Sequence, residues 1–119
     1  MYQIPSVRHD LRENGRIILA HGEVTGHCHE VVSDVDSEIA VDLPAYEYFE
    51  EPDTGRRILF ALRPCVLRHQ EHGAIALDPA MPEQVRQGDV LLTPIGSGCW
   101  VVTRQVEWPG PDGWRVVKD

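Results

Sequence analysis

Five of the six histidines in this 119-residue chain fall in two short blocks. The first reads His21-Gly-Glu-Val-Thr-Gly-His27-Cys-His29, the second His69-Gln-Glu-His72-Gly73. Residues two apart on an extended strand share a face, so His27 and His29 can turn both imidazoles toward one ion. A neutral imidazole offers its lone pair at about 2.0–2.1 Å from zinc and similar metals. One strand cannot complete such a shell, and the second block is the obvious supplier. His72 is preferred there, because Gly73 beside it lets the backbone bend. The His69-x-x-His72 spacing does not place both rings on one face of a straight strand, so His69 is a further candidate rather than a partner. Cys28, alternating with the two histidines, should point away and pack. Glu23 and Glu71 lie within the blocks, where either could orient an imidazole or act as base toward a metal-bound water. Imidazole-rich sites suit a divalent transition metal, and spacing does not choose among zinc, iron, nickel and copper. The same side chains also suit metal-free acid–base work, or a polar network that is purely structural.

These blocks need strands to hold them. Short β-branched or aromatic runs occur at 16–20, 29–32, 37–42, 46–50, 57–63, 65–68, 74–77, 90–93, 100–106 and 114–117. Asn14-Gly15, Gly22, Gly26, Pro44, Pro64, Gly73, Pro79, Gly88-Asp89 and Pro109-Gly110 punctuate them. Such spacing predicts an all-β domain, a small barrel or sandwich, spanning 1–119 as one unit. Helical material is expected only as a turn within 7–13 or 81–86. Pro52-Asp-Thr-Gly55 reads as an exposed hairpin tip between the strands at 46–50 and 57–62, since Pro presets φ and Gly accepts positive φ. Trp100, Trp108 and Trp114 carry large apolar areas suited to closing a core or an interface.

Gly88-Asp-Val-Leu-Leu-Thr-Pro94-Ile-Gly96-Ser-Gly-Cys99 resembles the second signature of the cupins, small β-barrels with a metal in the barrel mouth. Every spacing holds, and Cys99 stands where that signature places a histidine ligand, which makes Cys99 a candidate fourth ligand beside His69. The first cupin signature is met imperfectly: four residues separate Gly22 from His27 where five are usual, and Asp34 follows His29 where Glu is usual. The phrases at 18–29, 62–77 and 101–119 also resemble small bacterial and phage-borne proteins that carry GEVTGHxH, HEEHG and a closing RQxEY/W segment. That similarity covers most of the chain and implies a shared site rather than a named reaction.

Composition narrows the classes. Nineteen acids against eleven bases give a net charge of −8, which argues against nucleic-acid binding through a basic face. No apolar run approaches the ~20 residues of a membrane helix, and no signal peptide is evident. Nine acids and no Lys or Arg lie between Glu30 and Asp53, a density expected to form an exposed acidic face, not a metal site. Three cysteines without CxxC spacing favour a reducing, cytoplasmic setting. No GxSxG, Walker A or HExxH pattern is present. The expectation is therefore a cytoplasmic, cupin-like metal protein using His27, His29 and His72. An open ligand position would make it a metal-dependent hydrolase or another metalloenzyme acting on an unspecified small molecule; a closed site would be structural. The alternative is a non-enzymatic accessory or interaction module. A homodimer is the default assembly.

Overall fold

In a computed structural model, which describes residues 2–22, 26–33, 45–107 and 115–116, the apolar runs become strands and the Gly/Pro/Asp clusters become their turns. In chain order they are β1 (His9–Asp10), β2 (Ile17–His21), β3 (Cys28–Ser33), β4 (Tyr46–Glu50), β5 (Arg57–Ala61) and β6 (Cys65–Arg68). There follow β7 (Ile75–Leu77), β8 (Val85–Gln87), β9 (Val90–Gly96), β10 (Cys99–Arg104), β11 (Val106–Glu107) and β12 (Arg115–Val116). Among the described residues there is no helix, and so none long and apolar enough to cross a membrane.

One antiparallel sheet has six strands in the order β1-β4-β5-β10-β9-β8, and a second has four, β2-β3-β6-β7; β11 and β12 pair separately. Of the two expected architectures this is the sandwich, because the sheets do not hydrogen-bond into a closed barrel. Strand alternation decides what lies between them. Tyr46 and Tyr48, Leu59 and Ala61, Trp100 and Val102, and Val90 and Leu92 come from the six-stranded sheet. They share one core cluster with Ile17, Leu19, Val31, Leu67 and Leu77 of the other. Trp100 is fully buried and donates its indole N–H to the Glu83 carbonyl, so its polar tip is satisfied inside the core. Trp108 and Trp114 lie outside the described residues, as does the strand expected at 37–42.

The hairpin at 52–55 is as expected: Glu50 pairs with Arg57, the four tip residues are exposed, and Gly55 has φ +73°. The helical turns are not. Residues 9–10 pair with the β4 edge instead, and 85–87 form β8 against β9. Both segments border sheet edges, and strand pairing there satisfies backbone groups that one isolated helical turn would leave open. The expected acidic face is corrected at two of its described positions, while Asp53 is exposed and Glu47 and Glu50 are partly so. Glu30 and Glu51 are buried, although no base precedes Asp53 within that stretch, because the fold imports arginines from outside it. Arg16 and Arg68 bond Glu30, and the Arg16 hydrogen bonds hold its carboxyl below the usual range. Arg56, Thr54 and Tyr2 converge on Glu51, and Arg8 forks onto Glu47. Asp34, Asp36, Glu38 and Asp42 lie outside the described residues.

Candidate functional site

The register of β3 on β6 runs Val32 to Val66, Val31 to Leu67 and Glu30 to Arg68. One further step sets His29 opposite His69, both on the core-facing side. Their ring centroids lie 4.4 Å apart, and His72 follows 4.7 Å beyond His69 and 6.0 Å from His29. The two sequence blocks therefore meet, stacked along one end of the four-stranded sheet. His29 is fully buried.

The six-stranded sheet closes over this end with the β8–β9 hairpin, whose two-residue loop is Gly88-Asp89. Gly88 has φ +60°, as the first position of such a loop demands. A side chain there would also collide with the histidines: a Cβ would stand 2.8 Å from His72 Nε2 and 3.2 Å from His29 Cε1. Glycine keeps that space clear.

Hydrogen bonds from the same hairpin fix the chemistry of His29. Gln87 donates through Nε2 to the carbonyls of Leu67 (3.1 Å) and Gly73 (2.9 Å), which settles the orientation of its amide. Its Oε1 must then accept, and it lies 2.8 Å from His29 Nδ1. In the neutral imidazole the proton accordingly sits on Nδ1 and the lone pair on Nε2. That Nε2 faces Asp89 Oδ1 at 3.4 Å, with both side chains wholly buried. A lone pair set against a carboxylate in a dry interior is repulsive unless a proton or a cation lies between them. Asp89 Oδ2 is held by the Arg104 guanidinium, whereas Oδ1 has no hydrogen-bond partner, and neither has the buried Nε2 of His72.

The remaining candidates have other places. His69 Nδ1 accepts from the Glu71 backbone N–H, so its own proton sits on Nε2, the wrong tautomer for ligation through that atom. His27 just precedes β3; it stacks edge-on against His69 at 5.8 Å, and its Nδ1 lies 3.4 Å from the half-exposed Glu71 carboxylate. Cys28 does face away, on the side of Glu30. Cys99 is not brought to the cluster. It begins β10, opposite Gly96, while Arg104 at the other end of that strand reaches Asp89; five residues at about 3.3 Å each separate them. Burial raises the Cys99 thiol above its usual range. Glu23 lies outside the described residues. Among the described residues, no three His, Cys, Asp or Glu side chains are already gathered about one ion-sized point.

Gln87, Asp89 and Arg104 were not anticipated. The Gly88-Asp89 turn was legible, but following the cupin spacing led onward to Cys99 instead of to the aspartate beside the glycine.

The family model for a domain of unknown function, DUF8820, matches residues 1–81. The chain belongs to that family. The stretch matched to DUF8820 carries both histidine blocks and stops before Gln87 and Asp89, so in this chain the hairpin that completes the cluster comes from beyond it. No curated protein and no solved structure matches the chain.

Proposed function

We propose that the protein binds one divalent transition metal between its two sheets, through His29, Asp89 and His72. The observation that carries this reading is the buried His29 Nε2–Asp89 Oδ1 approach at 3.4 Å. Two donors each about 2.0–2.1 Å from a tetrahedral ion stand about 3.3 Å apart. The hydrogen bond from His29 Nδ1 to Gln87 is the kind of outer contact that holds a ligating imidazole in the right tautomer. His72 contributes an unpartnered Nε2, and the missing Cβ at Gly88 leaves room beside it. His27 moves from ligand to outer partner of Glu71.

Held by His29, Asp89 and His72, a metal would supply a water of lowered pKa, which is the chemistry of a metal-dependent hydrolase. Glu71, half exposed beside His27, is the carboxylate available as base. Three buried free thiols are in keeping with a reducing, cytoplasmic setting.

The test is metal content of protein purified without chelators, followed by titration with zinc, for the native chain and for His72→Ala and Asp89→Asn. One equivalent in the native chain, reduced at least tenfold in affinity by either change while the far-ultraviolet spectrum is kept, supports the reading. A folded native chain that takes up no zinc, nickel or copper replaces it with a metal-free structural network.

A further inference from the structure

A cleft of about 360 Å³ opens between β2 and the six-stranded sheet, near the same end of the sandwich. Its floor and one wall are apolar, from Leu11, Leu19 and Ala20. The other wall carries three donors in a row on adjacent strands. Tyr48 of β4 pairs with Leu59, two residues from Arg57 of β5 on the same face. Arg57 in turn pairs with Val102, two residues from Arg104 of β10, again on the same face. Diagonal neighbours of this kind have Cα atoms about 7–8 Å apart, within joint reach of long side chains.

The donors differ in what they already hold. Arg104 is half committed, gripping Asp89 Oδ2 while its side chain remains 38% exposed. Arg57 is exposed and makes no ion pair with a described residue; its guanidinium reaches the Tyr48 hydroxyl, which itself donates a long 3.5 Å bond to the Leu19 carbonyl. At the rim, Glu13 is occupied by His21 at 3.0 Å. In a chain of net charge −8, an arginine without a carboxylate partner in a cleft calls for an anion.

We infer that this cleft binds a small amphipathic oxyanion, its carboxylate or phosphate head on Arg57, Arg104 and Tyr48 and its apolar body against Leu11, Leu19 and Ala20. The site stands on residues other than the proposed metal ligands. It adjoins them through Arg104, which contacts Asp89 on one side and the cleft on the other.

The experiment is a nitrogen-15 NMR titration of the full chain, repeated with and without zinc, using hexanoate, hexyl phosphate, acetate and inorganic phosphate. Saturable shifts at Leu19, Ala20 and the Arg57 and Arg104 side chains with hexanoate or hexyl phosphate are expected, at least tenfold tighter than with acetate or inorganic phosphate. Which of the two longer probes binds better identifies the head group. Arg57→Gln, an exposed change, should weaken binding at least tenfold; Glu50→Gln, directly across the strand pair from Arg57, should tighten it. No saturable shift from either longer probe, equal binding of the short anions, or undiminished binding by Arg57→Gln would each overturn the proposal. Anion binding that persists without zinc separates this result from failure of the metal reading.

Discussion

Replacing Gly88 by Ala tests the cradle between the two sheets. Its backbone has φ +60°, where an L-residue costs about 1–2 kcal/mol relative to glycine. The added Cβ would also press on His72 Nε2 at 2.8 Å and His29 Cε1 at 3.2 Å. His72 is partly exposed and can give way, but His29 is fully buried and tied to Gln87, so the few tenths of an ångström it must give strain that bond. Displacing a buried hydrogen-bonded group adds about 1–3 kcal/mol. Gly55→Ala is the matched control: its φ is +73°, yet a Cβ there meets nothing within 4 Å. Urea unfolding of both variants separates backbone strain from collision. Gly88→Ala should lose about 2–5 kcal/mol and Gly55→Ala about 1–2, with zinc affinity falling only in the first. Equal losses in the two variants, with zinc affinity unchanged in Gly88→Ala, would show that no cradle exists there.

Three further outcomes follow from the same contacts. Gln87→Ala should destabilise by about 2–4 kcal/mol, since it strands the Leu67 and Gly73 carbonyls, and should lower metal affinity about 10–100-fold by releasing the His29 tautomer; urea unfolding and zinc titration check the two effects separately. Hydrogen bonds from Arg56 above all, then Thr54 and Tyr2, hold the Glu51 carboxyl at about 2, below its unfolded value, so its stabilisation is complete above about pH 4.5 and is lost as pH falls toward 2. Glu51→Gln should therefore lower the melting temperature at pH 7 and converge with the native chain near pH 2. Inserting a few Gly/Ser residues between Asp53 and Thr54 should lower the melting temperature only modestly: the tip is exposed and loop closure changes slowly with length, and the cost is confined to the Thr54 and Gly55 bonds to Glu51.

The sheets were legible because their strands obey local rules. Residues 46–50 and 57–61 are short aromatic and β-branched runs separated by a Pro-Asp-Thr-Gly turn, so their pairing as a hairpin was legible from turn chemistry. The candidacy of the two histidine blocks for one site was legible in their residue types, whereas the β3–β6 register that sets His29 beside His69 is long-range and was not. What was missed lies across the sandwich. Nothing local to Glu30 announces Arg16 and Arg68, and nothing near His29 announces Gln87 and Asp89, which come from 58 and 60 residues further on. Edge strands β1 and β8 were missed because two or three residues carry too little periodicity to distinguish a strand from a turn.

The most direct measurement is the absorption spectrum of the chain loaded with one equivalent of cobalt(II), with X-ray absorption on the zinc form. A nitrogen- and oxygen-only shell with about two imidazoles and tetrahedral ligand-field bands is expected, lost on Asp89→Asn and unchanged by Cys99→Ala. A sulfur ligand, or a cobalt shell indifferent to Asp89, would contradict a metal site at His29, Asp89 and His72.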